Sequence, residues 1–251
     1  MLEIFILFIA GILAGLVNSI AGGGTFFTFP ALMHSGLTSI IANATNSLSI
    51  FPGHFGGLIP QRKYLIGKIF ELRYKILACF IGGALGSVLL MISSEKLFRS
   101  LIPFLLYLAT ILFYLAPKIQ NILNENKKLL DRFSSQKASF IGLFLITIYG
   151  GYFGAGQGIM LMALLSITEK DDIKELNTQK NFFAVIANFT AVIFFAFSGM
   201  IAWKSALIVL IGAVIGGYIG AKIANSIKPQ TLRKIIISVG FLLGTYYLLG
   251  L

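Results

Sequence analysis

Long runs of this chain carry no acidic or basic residue, and that fact constrains the fold more than any other. The runs extend over Ile4–Gln61, Ile76–Ser94, Leu101–Ala116, Ala138–Thr168, Asn181–Trp203 and Ile235–Leu251. A helix needs about 20 mostly apolar residues to cross a bilayer. Most of the runs reach that length, and the first and fourth are long enough for more than one pass. Charged residues make up 12% of the 251-residue chain, half of what soluble domains carry. The expected fold is all-α: a polytopic integral membrane protein in the plasma membrane, here a bacterial inner membrane. The N-terminal stretch lacks the basic start of a cleavable signal peptide and is expected to stay as a helix. Cys79, the single cysteine, rules out an intramolecular disulfide.

The chain repeats itself. Ile81-Gly82-Gly83-Ala84-Leu85-Gly86 returns 134 positions later as Ile215-Gly216-Gly217-Tyr218-Ile219-Gly220. The same offset pairs Asn43 with Asn177 and Arg99 with Arg233. With a two-residue gap, Gly22-Gly23-Gly24 aligns with Gly154-Ala155-Gly156. The expected division is a first membrane repeat (1–116), a polar cytoplasmic linker (117–137) and a second membrane repeat (138–251). Each repeat holds a Gly-interrupted helix pair plus three spans, at about 42–60, 74–93 and 98–116, then 178–202, 205–223 and 233–250. The pieces after the glycines, 26–34 and 159–168, are short: each is half a crossing, either completing a full span or turning back.

Charge indicates how the halves are oriented. In an inverted arrangement, 61–75, the linker, 169–180 and 222–234 all face the cytoplasm and hold 17 of the 20 basic residues. In a parallel arrangement 11 lie inside. Basic residues accumulate on the cytoplasmic side of short loops, so two inverted repeats are expected. The formal net charge of +11 is accounted for by this topology, and no nucleic-acid motif is present.

All nine acidic residues lie at span ends or in loops. Intramembrane acids mark cation pumps and proton relays, so neither is expected. There is no GxxxxGK[ST], HExxH or GxSxG motif. No enzyme activity, no catalytic residue, no cofactor and no metal is expected.

What remains is suited to anions. A backbone break within a membrane is tolerated where it is buried in protein or lines a cavity. The helix that follows presents unpaired N–H groups with partial positive charge, and two such ends from inverted repeats suit an anion. The candidate substrate-binding residues are Gly22, Gly23, Gly24, Thr25, Asn43, Asn46 and Ser47 in the first half. Those in the second are Gly154, Ala155, Gly156, Gln157, Gly158, Lys180 and Asn188. Asn18 is a weaker candidate. Lys180 is read either as an anion partner or as a lysine snorkelling to the interface. His54 is a candidate for proton coupling, or a helix–helix hydrogen bonder. The other glycine pairs, at 82, 83, 86, 216, 217 and 220, read as close helix packing.

Gly22-Gly23-Gly24 with Pro30 and Ala44-Thr45-Asn46-Ser47, followed by Gly154-Ala155-Gly156-Gln157-Gly158, Asn177-Thr178-Gln179-Lys180 and Asn188, resembles the TauE/SafE family of anion permeases, the sulfite exporters. The resemblance covers nearly the whole chain. It is looser where Ala21 precedes the glycines and where Gln157 replaces a frequent glycine. It implies secondary-active or facilitated transport of a small anion such as sulfite, an organosulfonate or a related organic acid. The expected partners are that anion and the lipid bilayer, with no nucleic acid; a homo-oligomer is left open. The alternative is a non-transporting membrane scaffold or partner subunit.

Overall fold

The computed structural model describes residues 1–20, 23–52, 58, 62–125, 135–169, 171–223 and 229–250. The first part of the chain forms α1 (Leu2–Ile20), α2 (Thr25–His34), α3 (Ser39–Ile50), α4 (Arg62–Lys68), α5 (Arg73–Ile92) and α6 (Glu95–Glu125). The second forms α7 (Gln136–Tyr152), α8 (Gln157–Thr168), α9 (Ile173–Phe197), α10 (Trp203–Ile223) and α11 (Pro229–Leu248). No strand occurs among the described residues. Among the described residues, six helices are long and apolar enough to cross a membrane: α1, α5, α6, α9, α10 and α11.

Inside and outside follow the logic of lipid rather than water. On α5 the buried face is Ala78, Cys79, Gly82, Gly83, Gly86 and Ser87, closed by Leu90. Leu77, Phe80, Ile81, Leu85 and Leu89 point outward. Lipid tails are as apolar as leucine, so helices gain by close van der Waals contact, and small residues make that contact possible.

The glycines show which helices pair. On α1, a Cβ at Gly11 would lie 3.1 Å from the Val209 Cα, and one at Gly15 would lie 2.6 Å from the Gly217 nitrogen. Contact therefore advances along both chains, and α1 and α10 run in the same direction. A Cβ at Gly82 would meet the Phe144 carbonyl at 2.7 Å, and one at Gly86 the Gly151 Cα at 2.9 Å. So α5 and α7 also run together. In contrast, α6 and α11 run in opposite directions, with Gly240 against Thr110 and Gly244 against Tyr107.

Two segments differ from the sequence expectation. Within the span expected at 42–60, the described α-helix runs from Ser39 to Ile50. Pro52 follows, with no N–H to continue an α-helix, and the next described helix begins at Arg62. At the other extreme, α6 does not stop at 116 but continues through Pro117 to Glu125.

Each glycine-interrupted pair is a hairpin that returns to the end of the bundle where it began. Phe27 and Ala31 of α2 line one groove with Phe5, Ile6, Ile9, Ala10 and Leu13 of α1. Just beyond α8, Glu169 accepts a hydrogen bond from the Ser139 hydroxyl, in the first turn of α7, at 3.0 Å. A turn at Gly36 (φ +85°) separates α2 from α3, and Thr38 caps α3 through a bond from the Ile41 N–H.

Ion pairs tie one end of the bundle. Lys68 meets Asp171 at 2.6 Å and Lys75 meets Glu169 at 2.6 Å. Asp171 also accepts from Tyr64 OH at 3.1 Å and from the Gln179 amide. Its hydrogen bond to Asp171 raises the Lys68 pKa above the ordinary lysine value. Burial pushes the Asp171 carboxyl up, but Lys68, Tyr64 and Gln179 together outweigh it and hold the carboxyl below its usual range. At the opposite end, Glu95 accepts from the Ser39 N–H and hydroxyl and from the Ile40 N–H, joining α6 to the start of α3.

Candidate functional site

Both hairpin tips rest on neighbouring turns of α6. A Cβ at Gly156 would lie 3.3 Å from the Ala109 Cβ, and one at Gly23 would lie 2.9 Å from the Phe113 ring and 3.2 Å from Ile236. The chain turns sharply at both tips. Gly23 has φ +97°, Gly154 +79° and Gly156 +75°, a region that residues with a Cβ enter only at a cost.

The first tip is closed upon itself. Gly24 N–H donates to Asn18 Oδ1 at 2.8 Å. The Thr28 hydroxyl donates to Asn46 Oδ1, and Asn46 Nδ2 donates to Thr25 Oγ1 at 3.4 Å. Ser47 donates back to the Asn43 carbonyl at 3.1 Å. Asn43 reaches the other half: its Nδ2 donates to the Tyr152 carbonyl at 2.9 Å, and its Oδ1 is buried without a partner among the described residues. Gly22 and His54 lie outside the described residues.

The second tip is built differently. Gln157, the first residue of α8, is 4% exposed. Its side chain packs over Gly150, where a Cβ would collide with the amide. Asn188 Nδ2 donates to the Ala184 carbonyl at 2.8 Å, which fixes that amide, and reaches Gln157 Oε1 at 3.5 Å. This orients Gln157 with its oxygen toward Asn188, so Nε2 remains a buried donor with no partner among the described residues. The Ala155 carbonyl accepts from Tyr149 OH at 2.6 Å. Ala155 itself is fully buried. The N–H groups of Ala155, Gly156 and Gly158 have no hydrogen-bond partner among the described residues. Beside Gly158 there is room, since a Cβ there would meet nothing within 4 Å.

Lys180 stands on the same face of α9 as Asn188, eight residues earlier and so about 12 Å along the axis. It is half-buried, with no ion pair among the described residues. Unlike its neighbours in the polar run, Asn177 is exposed, and Gln179 turns away to Tyr64 and Asp171. The structure thus gathers Gly154, Ala155, Gly156, Gln157, Gly158 and Asn188 at one place. Thr25, Asn46 and Gly24 form a separate, internally bonded group, and Lys180 lies two turns away. Sequence reasoning missed Tyr149 and Gly150. Gly150 aligns with Asn18 once the two-residue gap is applied, and that alignment was the available signal.

A helical bundle with six membrane-length helices and two hairpins whose broken tips pack inside it is a multi-pass membrane protein of the transporter class. The chain belongs to the TauE/SafE family: the model described as sulfite exporter TauE/SafE matches residues 7–247. It is 27% identical to a probable membrane transporter protein of Haemophilus influenzae, over 95% of this chain and 91% of that one. It is 24% identical to the probable membrane transporter protein YfcA of Escherichia coli K12, over 93% and 85%. It is 26% identical to the probable membrane transporter protein YunE of Bacillus subtilis, over 95% of each. These names state membrane transport and give no substrate. The bacterial relatives are consistent with an inner-membrane location. No solved structure matches the chain.

Proposed function

We propose that this transporter moves a small oxyanion, sulfite or a related sulfonate or carboxylate, by a secondary-active or facilitated route and without catalysis. The anion binds where the glycine breaks pack inside the bundle. The observation that carries this reading is the second tip, where the buried Gln157 Nε2 and the N–H groups of Ala155, Gly156 and Gly158 are left without acceptors. Unsatisfied buried donors are costly, about 1–3 kcal/mol each, and an anion would satisfy them together. Lys180 supplies a positive charge along the approach from the end tied by Lys68 and Asp171.

The halves act as inverted repeats. Helices α6 and α11 occupy matching places in the two halves and run in opposite directions. The ion pairs Lys68–Asp171 and Lys75–Glu169 hold segments at one end that a parallel arrangement would put on opposite sides of the membrane. By the distribution of basic residues this is the cytoplasmic end. Inverted repeats with broken helices provide alternating access about a central site.

The test is thermal stabilisation of the purified protein by sulfite, thiosulfate, sulfoacetate, taurine and simple carboxylates, with flux into proteoliposomes for each anion that stabilises. At least one anion should raise the melting temperature and be transported, and Lys180→Gln should slow that transport. A protein indifferent to all of them would be a scaffold, and the anion reading would be wrong.

A further inference from the structure

The two breaks correspond in sequence and share two backbone bonds, yet differ in conformation, with Gly24 at φ −56° and Gly156 at +75°, and in chemistry. Helices α1 and α7 end at Ile20 and Tyr152. Phe27 N–H bonds the Gly24 carbonyl at 2.9 Å as Ile159 N–H bonds that of Gly156 at 3.0 Å. Thr28 and Met160 repeat the correspondence at 3.2 and 3.3 Å to the same two carbonyls. Gly24 is therefore the counterpart of Gly156, and by the same offset Asn18 is the counterpart of Gly150.

In the first half an acceptor oxygen already occupies the break. Asn18 Oδ1 sits 2.8 Å from the Gly24 N–H. Thr25, Thr28 and Asn46 satisfy one another. The room beside Gly24 is filled: a Cβ there would lie 2.6 Å from Asn18 Nδ2 and 2.8 Å from the Ala14 carbonyl oxygen. In the second half the capping side chain is missing, because position 150 is glycine. The amide that fills the vacated room is Gln157, which adds a free donor where Asn18 had supplied an acceptor. Tyr149 holds the Ala155 carbonyl, and in a trans peptide the N–H of Gly156 then points the opposite way. The second break's own groups without a partner among the described residues include the Gly156 N–H and Gln157 Nε2, both donors. The unpartnered acceptor nearby, Asn43 Oδ1, belongs to a side chain anchored on Tyr152.

We infer that the breaks are not a matched pair of binding sites: at the first, Asn18 Oδ1 stands on the Gly24 N–H where a ligand oxygen would, and one oxyanion binds per chain, at the second. Its oxygens take the Gly156 N–H and Gln157 Nε2. This rests on the anion reading above and narrows it to one site. Residues Gly23, Gly24, Thr25 and Asn46 then have a structural role, holding the first hairpin shut so that α6 and α11 can pack over it.

The test is calorimetric titration of the purified full-length protein with sodium sulfite, with sodium acetate and sodium chloride in parallel arms. Asn18→Gly should lower the melting temperature of the ligand-free protein and leave sulfite affinity within twofold. Gln157→Leu removes one donor at nearly constant volume and should weaken sulfite about tenfold, the loss of roughly one hydrogen bond to a charged group. The double variant Gly150→Asn with Gln157→Thr rebuilds the first break in the second half and should abolish binding while the protein still melts cooperatively. Two sulfite ions per chain, or Asn18→Gly weakening binding as much as Gln157→Leu, would overturn the single-site inference while the anion reading stands. A wild type that takes up heat from none of the salts, sulfite and acetate included, would remove both.

Discussion

Gly216 and Gly217 are adjacent in α10, and replacing each with alanine should give opposite results. A Cβ at Gly216 would overlap the Ile12 carbonyl oxygen and lie 2.8 Å from the Ile12 Cα. Carbon atoms pack best about 3.5–4.0 Å apart, so α1 and α10 would have to separate by roughly 1 Å along a seam closed by backbone on both sides. Such overpacking costs about 1–3 kcal/mol. Alanine returns up to about 1 kcal/mol through helix propensity, leaving a net loss of up to about 2 kcal/mol. A Cβ at Gly217 would have a single neighbour, the Gly15 carbonyl oxygen at 3.9 Å. There the propensity gain has nothing to offset it. At about 2–4 °C per kcal/mol for a chain of this size, Gly216→Ala should melt lower by up to about 8 °C. Gly217→Ala should match the wild type or exceed it by about 2 °C. Cys79 offers the assay: it is the single cysteine and fully buried, so a thiol-reactive fluorophore at neutral pH reports unfolding directly. Equal destabilisation by both substitutions would refute the packing geometry and leave α10 without its assigned partner face.

Three further outcomes follow from the same coordinates. Introduced cysteines should label from the cytoplasm at Arg62 and from the outside at Lys204, read with an impermeant maleimide in intact cells and inverted vesicles. Asp171→Asn should lower thermal stability by a constant amount between about pH 5 and about pH 9, measured by size exclusion after heating. The Asp171 pKa is depressed, so its contribution is present above the ordinary carboxylate value and is lost as pH falls through the folded one. The Lys68 pKa is raised, so its contribution persists below the ordinary lysine value and is lost only as pH climbs through the folded one. The difference between variant and wild type should therefore shrink below about pH 4. Tyr149→Phe keeps the ring and frees the Ala155 carbonyl. It should raise the KM for transport several-fold at unchanged maximal rate, whereas Tyr152→Phe, whose hydroxyl meets Ser93 at 3.3 Å, should leave both constants alone.

Membrane character and the paired glycine breaks were legible in the sequence, because charge-free runs and Gly22–Gly24 against Gly154–Gly156 need no tertiary knowledge. The packing role of Gly82, Gly86, Gly216 and Gly220 was legible too, for lipid gives small residues a single strong use. The end of α3 was not. Residues 42–60 carry no acidic or basic residue, and hydropathy cannot see that Pro52 removes an amide. The cluster of Tyr64, Lys68, Asp171 and Gln179 was equally hidden, since its two pairs lie more than 100 residues apart in the chain and each member looks like an ordinary loop or span-end residue. The inequality of the tips depends on Asn18 facing Gly150, a correspondence masked by the change of repeat offset from 134 to 132.

The pairing of α1 with α10 and of α5 with α7 has a consequence for how the protein is made. When α1 enters the membrane, its partner lies about 200 residues further along the message. At about 5–20 residues per second, the Gly11–Gly15 face must wait roughly 10–40 s beside lipid before α10 arrives to cover it. The face on α5 waits less, because α7 follows within about 60 residues. A ribosome that stalls after α6 would thus leave a first half that cannot close on itself, its glycine seam open to membrane chaperones and proteases. Completion of the second half is what releases the chain from that surveillance.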